Sequence, residues 1–234
     1  MRKTTPWIGM ASVLALAAPS FGDMFMDATE DLFDNGFTNL DIMNVELTND
    51  DTWLYISMQL GANLDDTSWG KYAIGINNNM GGPESNSNGW GRNIDWMRGI
   101  THWSATWADD GGTGVGGEIY EYDGTGWALT GATYSGSGNI AGDDSGHAAG
   151  FQRWQLSLAS LGVGIGDTIA FDVISTGGGG GDPGVDHLSR MDPATPGWGT
   201  QSIAGEFGTY TVVPAPGAVA LLGLAGLAGR RRRA

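Results

Sequence analysis

Apolar and polar residues alternate strictly over several short stretches of the chain, most clearly in residues 52–60. One side of that stretch carries Leu54, Ile56, Met58 and Leu60. The other side carries Trp53, Tyr55, Ser57 and Gln59. A period of two is the pattern of an extended strand, whose successive side chains point to opposite faces of a sheet. Residues 52–60 are therefore predicted to form a half-buried β-strand.

Similar patterns predict further strands at residues 43–47, 72–76, 151–158, 168–175 and 208–213. Residues 119–122 and 127–130 flank an Asp-Gly-Thr-Gly turn and are predicted to pair as a β-hairpin. The one helical hint in the body is a turn predicted at residues 158–161, closed by Gly162. With 41 glycines and only 16% charged residues, the chain is rich in turns. We predict an all-β fold, a single jelly-roll-like β-sandwich, with short targeting helices at both ends of the chain.

The first 22 residues have the features of a secretion signal. Two basic residues precede the uncharged stretch 7–18, and the small residues Ser20 and Gly22 occupy the two positions that a signal peptidase inspects. A buried first helix is the alternative, but Pro19 and the acidic sequence that follows disfavour it. We therefore predict a signal peptide over residues 1–22 and export of the remaining chain.

The carboxy-terminal segment combines a proline motif, an apolar stretch and a basic cluster. The motif is Pro214, Ala215 and Pro216. Residues 212–229 form an uncharged run of 18 positions, near the lower limit of roughly 17 for a membrane-spanning helix. The basic cluster is Arg230, Arg231, Arg232 and Arg233. These arginines are expected to keep their side of the segment in the cytoplasm.

This order of parts over residues 214–234 resembles the sorting tag of PEP-CTERM surface proteins of Gram-negative bacteria. The resemblance implies recognition and removal by an exosortase, with the membrane contacted only through a transient carboxy-terminal helix. Ala215 stands where the family has a glutamate. An ordinary tail anchor is the alternative. Residues 23–213, between the signal peptide and this segment, are predicted to form one β-sandwich domain located at the cell surface or in the extracellular matrix.

The charge of this predicted body limits its partners. Residues 23–213 contain all 26 acidic residues and only five of the 11 basic ones, which gives a net charge of −21. Such a charge repels phosphate backbones, so nucleic acid is not an expected partner. The absence of cysteine excludes disulfides, thiol nucleophiles and thiolate metal sites. Residues 77–92 and 176–186, rich in Gly, are predicted to be long loops of the same domain.

A second resemblance lies in residues 41–56, where a strand and an acidic turn precede the strand sequence Trp-Leu-Tyr-Ile. This run resembles the opening hairpin of DOMON-type and family-nine carbohydrate-binding domains. The resemblance spans roughly 20 residues and implies a jelly-roll-like sandwich with sugar or haem binding in its wider superfamily. The ligand residues of those families do not align with this chain beyond the hairpin, so none is carried over.

Four tryptophans crowd one segment and are the candidate ligand-binding residues: Trp90, Trp96, Trp103 and Trp107. On a strand over residues 100–107, Trp103 and Trp107 share one face, about 13 Å apart, with the small Ala105 between them. Two such aromatic planes are typical of platforms that bind flat sugar faces, which predicts an extracellular polysaccharide as partner. The alternative is that the rings fill the core of a glycine-rich sandwich.

Aspartates recur in pairs in the predicted turns, and Asp182 and Asp186 follow a run of five glycines. Calcium is coordinated by six to eight oxygens, which carboxylates and turn backbone supply. Asp182 and Asp186 are therefore the candidate metal ligands, and calcium is the expected cofactor. The alternative is that these aspartates are solvated turn residues, since no EF-hand spacing is present.

Nothing in the sequence assigns a catalytic residue, because neither a Gly-x-Ser-x-Gly nor a His-Glu-x-x-His motif occurs. The sequence favours an exported, noncatalytic surface or matrix protein that binds carbohydrate. The alternatives are a structural or adhesive matrix component without a small ligand, and a glycan-active hydrolase or lyase. A further one is a haem-binding domain that uses His102 or His187.

Overall fold

The computed structural model of the chain describes residues 22–66, 69–108 and 115–215. In these residues two antiparallel sheets pack face to face around a common apolar core. A short parallel pair of strands and three single-turn 3₁₀ helices complete the described secondary structure. The strands are β1 (Asp23–Met26), β2 (Ile42–Asn49), β3 (Trp53–Leu60), β4 (Lys71–Asn77), β5 (Ile94–Asp95), β6 (His102–Trp107), β7 (Gly116–Tyr122), β8 (Trp127–Ala132), β9 (Ile140–Asp143), β10 (Phe151–Ser157), β11 (Thr168–Thr176), β12 (Gly184–His187), β13 (Ser202–Ile203) and β14 (Gly208–Thr211).

The five-stranded sheet has the strand order β1-β2-β3-β10-β9. Its inner face is apolar because the alternating residues of neighbouring strands lie opposite one another, as Leu47, Ile56 and Trp154 do. All three are buried in the core between the sheets. The outer residues of β3 are half-buried, as the alternation in residues 52–60 predicts.

The second sheet has the order β12-β11-β4-β6-β7-β8, and β14 also pairs with β11. The inner face of β4 is apolar, whereas the inner face of β6 carries His102, Ser104 and Thr106. The side-chain amide of Gln152 on β10 donates a hydrogen bond of 2.9 Å to Thr106 Oγ1. This buried bond links the two sheets, and it satisfies a polar group that the interior would otherwise leave without a partner.

A second apolar core covers the outer face of this larger sheet. It contains Trp103 of β6 and Trp96, which belongs to the long connection between β4 and β6. A Cβ atom at Gly75 would lie 3.0 Å from the Trp96 ring, so only glycine lets the ring approach the sheet this closely. The long connection between β4 and β6 and the connection between β12 and β14 thus form a third layer, which conceals a face that a simple two-sheet sandwich would leave in solvent.

Both ends of the described chain lie beside the turn between β2 and β3. β1 begins at Asp23, which pairs with Leu47 near the end of β2. At the other end, Asn49 Oδ1 accepts hydrogen bonds from the Tyr210 hydroxyl at 2.6 Å and from the Val213 amide at 3.0 Å. The predicted targeting helices lie outside the described residues. Within the described ranges, no helix has the length and apolar character needed to span a bilayer.

The prediction of an all-β sandwich is confirmed, and several local predictions need correction. The predicted turn at residues 158–161 is present. The predicted loop 176–186 includes the start of β12. The edge strands β1 and β9 had no predicted counterpart. Each has only four residues, which is too few for an alternation of apolar and polar residues to be recognised. An edge strand also needs to bury little of its surface, so its sequence needs few apolar residues.

Candidate functional site

A pocket of about 300 Å³ opens on the outer face of the five-stranded sheet, across β2, β3, β10 and β9. Its floor consists of two rows of side chains that run across the strands. The first row is Thr48, Tyr55, Gln155 and Ala141. The second row is Glu46, Ser57, Arg153 and Asp143. This pocket, the outer-sheet pocket, therefore combines one aromatic ring with hydroxyl, amide and charged groups.

Tyr55 is held in a fixed position in the outer-sheet pocket. Its hydroxyl donates a hydrogen bond of 2.7 Å to Asp50 Oδ2. Asp50 is itself fixed by the backbone amides of Thr52 and Trp53, which donate to its other carboxylate oxygen at 2.7 Å each. The hydrogen bond to Asp50 raises the pKa of Tyr55 to about 12, so the phenol keeps its proton at neutral pH. A ligand would thus find an aromatic face that is already oriented.

Arg153 crosses the second row of the pocket. Its Nε donates to Ser57 Oγ at 3.4 Å, and one terminal nitrogen lies 4.0 Å from Asp143 Oδ2. The guanidinium carbon lies 4.7 Å from the centre of the Phe151 ring, in cation–π contact. A guanidinium carries five N–H donors. These contacts orient the guanidinium of Arg153 and use only some of its five N–H donors.

The two carboxylates of the pocket, Glu46 and Asp143, are separated by two strands that carry Ser57 and Arg153. Three strand spacings of roughly 4.8 Å put their Cα atoms about 14 Å apart. Glycoside hydrolysis uses a pair of carboxyl groups, one of which must donate a proton to the leaving group. A hydrogen bond from Ser145 also lowers the pKa of Asp143, which disfavours a role as proton donor. The arrangement suits binding better than glycoside cleavage.

The four candidate tryptophans occupy two environments. Trp96 and Trp103 are 0% exposed, and their ring centres lie 5.7 Å apart in the second core. Trp90 and Trp107 are half-buried, with ring centres 5.8 Å apart. The expectation of an exposed platform that includes Trp103 is therefore wrong, because the long connection between β4 and β6 covers that ring.

The half-buried tryptophans border a surface organised around Glu118 on β7. Its carboxylate accepts hydrogen bonds from Trp90 Nε1 at 2.7 Å, from the Tyr120 hydroxyl at 2.9 Å and from the Tyr134 hydroxyl. Tyr134 is 66% exposed. We call Trp90, Trp107, Tyr120 and Tyr134 the Glu118 aromatic surface. It is a second place where a flat ligand can contact aromatic rings, of which Tyr134 is exposed and the other three are half-buried.

Three buried carboxylates meet at the far end of the sandwich from Asn49. Asp31, Asp41 and Asp186 each place one oxygen within 4.8 Å of the others, and we call them the acidic cluster. Of the predicted metal pair, Asp186 belongs to this cluster and Asp182 does not, so the pair itself stays a prediction. Asp182 instead accepts a hydrogen bond of 2.7 Å from the Gly179 amide within the glycine-rich loop, where it interacts with the charge of Arg92.

The two histidines considered as haem ligands are both buried. His187 uses both ring nitrogens, with Nδ1 2.6 Å from Asp172 Oδ2 and Nε2 3.1 Å from Ser202 Oγ. His102 Nδ1 lies 2.9 Å from Thr101 Oγ1, and burial lowers the pKa of His102 to about 4. Neither imidazole offers an exposed nitrogen to an iron atom, so the haem hypothesis gains no support.

The comparisons with known proteins assign no family. No protein-family model matches the chain, and no curated protein matches it. The resemblances to PEP-CTERM proteins and to DOMON-type domains therefore stay predictions from the sequence. Function is inferred from the outer-sheet pocket, the Glu118 aromatic surface and the acidic cluster.

The predicted processing residues are described only in part. Pro214 is exposed, and the amide of Ala215 donates to Asp51 Oδ1 at 3.3 Å. The chain therefore leaves the sandwich beside the β2–β3 turn. The remaining predicted processing residues, Pro216, Arg230, Arg231, Arg232 and Arg233, lie outside the described residues.

Proposed function

We propose that this protein is exported to the bacterial surface or matrix, where it binds carbohydrate without cleaving it. The observation that carries the proposal is the outer-sheet pocket, which crosses four strands of the five-stranded sheet. Its volume of about 300 Å³ is at the small end of ligand sites, for which roughly 300–1,000 Å³ is usual.

The chemistry of the pocket favours a sugar over an apolar ligand. Tyr55 supplies a flat ring, and Gln155, Ser57 and Arg153 supply donors and acceptors for hydroxyl groups. A pyranose ring has apolar C–H faces and a polar rim, so it matches both kinds of group at once.

The charge of the site favours a neutral glycan. Among the described residues that line the pocket, Arg153 is the only basic one, and the lining also contains Glu46 and Asp143. The body as a whole carries a net charge of −21. A strongly anionic polysaccharide would be repelled on approach.

The Glu118 aromatic surface is the second candidate for the same activity. The exposure of Tyr134 and the half-buried rings of Trp90 and Trp107 favour it. The outer-sheet pocket ranks higher because its hydrogen-bonding side chains line a concavity, whereas the carboxylate of Glu118 is already occupied by three donors.

A screen of the purified protein on an array of neutral and anionic glycans tests the proposal. We expect retention of a neutral glycan, and at least about a tenfold loss of affinity for it in Tyr55→Ala. Loss of the ring contact removes roughly 1.4 kcal/mol of binding free energy. Tyr55→Phe, which keeps the ring and loses the bond to Asp50, should retain most of the affinity.

Tyr134→Ala is the matched control, since it removes an exposed tyrosine from the 3₁₀ turn that follows β8 of the other sheet. If Tyr134→Ala weakens binding and Tyr55→Ala does not, the Glu118 aromatic surface is the site. If no glycan is retained by the folded wild-type protein, the carbohydrate proposal fails. The protein would then be a structural or adhesive component.

Export and sorting form the second part of the proposal. The sequence features of residues 1–22 and 214–234 support it, and so does the exit of the chain at one end of the sandwich. A tether at Ala215 would leave the opposite end, which carries the acidic cluster, pointing away from the membrane. An exosortase-type enzyme is the proposed processing partner.

Intact-mass measurement on protein extracted from the surface of its native host checks this part. We expect the segment beyond about residue 216 to be missing, because the proline motif, the weak apolar run and the arginines together form a removable tag. A mass that still includes Arg230, Arg231, Arg232 and Arg233 would identify the segment as a permanent anchor instead.

A further inference from the structure

The acidic cluster draws its members from both sheets. Asp41 immediately precedes β2 in the five-stranded sheet, and Asp186 lies on β12, the edge strand of the other sheet. Asp186 Oδ2 accepts a hydrogen bond of 2.6 Å from the Ile42 amide, across 144 positions of sequence. Asp31 belongs to the loop that connects β1 with β2. Any ion held by the three would therefore join the two sheets and this loop.

The carboxylate of Asp31 is unusual because it has no hydrogen-bond partner among the described residues. Asp31 is only 8% exposed, and both of its oxygens are buried. Asp27, which is 9% exposed and interacts with the charges of Asp31 and Asp186, likewise has one buried oxygen without a partner. Buried carboxylate oxygens without a donor are strongly destabilising unless a cation or a proton compensates them.

Nearby basic side chains compensate this charge only weakly. Arg190 is the positive group that acts on Asp31. Its guanidinium already binds Asp192, with one nitrogen 2.7 Å from Asp192 Oδ2.

We propose that Asp31, Asp41 and Asp186 bind one calcium ion, which fastens the two sheets together at this end of the sandwich. All three ligands are hard oxygen donors, and the group contains no nitrogen or sulfur ligand. Calcium takes six to eight oxygens in a flexible geometry, so carboxylates from three separate segments suit it. Magnesium requires near-ideal octahedral geometry and suits such a site less well.

This site is independent of the proposed glycan site. The acidic cluster lies at the start of β2, whereas the first row of the outer-sheet pocket, with Thr48 and Tyr55, lies near the end of that strand. Tyr55→Ala should therefore leave the calcium response unchanged. The failure of one proposal would leave the other standing.

Titration of chelator-treated protein with calcium chloride, followed by calorimetry and by thermal unfolding, tests the proposal. We expect one calcium ion per chain. At one hundred times the dissociation constant, Tm should rise by about 5–10 °C for a domain of this size. Asp31→Asn should weaken calcium binding at least about tenfold, because it replaces an anionic ligand by a neutral one.

Asp31→Asn should still fold, since the Asp31 carboxylate makes no hydrogen bond to the described part of the chain that the substitution would break. Without calcium its Tm should equal or exceed that of the wild type, because a buried charge has been removed. Asp144→Asn, which neutralises an exposed aspartate, is the charge-matched control and should respond like the wild type. Asp182→Asn should do so as well.

Several results would overturn the proposal. The wild type could show neither binding heat nor a shift in Tm, which would mean that protons alone neutralise the cluster. Asp31→Asn could bind calcium as tightly as the wild type, or Asp144→Asn could weaken binding equally. An equal response to magnesium chloride would refute the assignment to calcium.

Discussion

Trp103→Ala is expected to lower the free energy of unfolding by about 3–5 kcal/mol, the range for removal of a large buried ring. Trp103 is 0% exposed, and its ring packs against Trp96 and Trp90 at centre distances of 5.7 Å and 6.2 Å. Its indole nitrogen has no hydrogen-bond partner among the described residues, so the loss comes from packing alone. Chemical denaturation followed by circular dichroism measures the effect.

The contrast with Trp107 makes this prediction specific. Trp107 lies on the same face of β6 but is half-buried, so Trp107→Ala should be clearly less destabilising than Trp103→Ala. Tyr134→Ala, at an exposed position, should change stability by less than about 0.5 kcal/mol. A loss below about 1 kcal/mol for Trp103→Ala would mean that the ring is accessible, as the sequence-based platform hypothesis required.

Asn49→Ala is expected to lower the free energy of unfolding by about 2–4 kcal/mol, because several buried polar groups lose their partners together. Asn49 Oδ1 accepts from Tyr210 and Val213, and its amide donates to the carbonyls of Asp50 and Val213 at 2.8 Å. One side chain thus ties the β2–β3 turn to β14 and to the segment that leads into the predicted tag.

Asn44→Ala is the matched control for this prediction. Asn44 lies on the outer face of the same strand and donates one hydrogen bond of 2.8 Å to Gln59. Since water can replace that bond, the control should lose about 1 kcal/mol or less. Equal losses for the two variants in chemical denaturation would show that Asn49 does not anchor the carboxy-terminal segment.

Local alternation explains which strands could be predicted from the sequence. β3 begins at Trp53, within one residue of its predicted start, because four apolar and four outward-facing residues alternate without interruption. β12 could not be predicted in the same way. It has four residues, all buried, directly after a glycine-rich loop, so no contrast between its two faces exists in the sequence.

The candidate sites were harder to predict from the sequence than the strands, because their residues are brought together by tertiary structure. The alternation places Tyr55 and Ser57 on one face, but the pocket exists only because β3 pairs with β10, about a hundred residues later. Asp31, Asp41 and Asp186 follow no sequence spacing, since the fold brings them together from three segments. The sequence offers Asp186 as a candidate ligand because it follows the glycine run, while Asp31 and Asp41 have no local signal beyond their charge.

The tryptophan prediction shows a different limit. The sequence shows correctly that many rings are concentrated in residues 90–107. Whether a ring is exposed depends on what covers the sheet, and here the covering layer contains Trp96 itself, packed on Gly75. Hydrophobic pattern alone cannot predict such a third layer, because it describes one strand at a time.

A crystal structure of the protein with a neutral glycan identified on the array tests the central claim most directly. We predict that a sugar ring lies against Tyr55 in the outer-sheet pocket, with hydroxyl groups hydrogen-bonded to Arg153 or Gln155. A glycan seated on Trp90 and Trp107 of the Glu118 aromatic surface, with the outer-sheet pocket free of sugar, would contradict it.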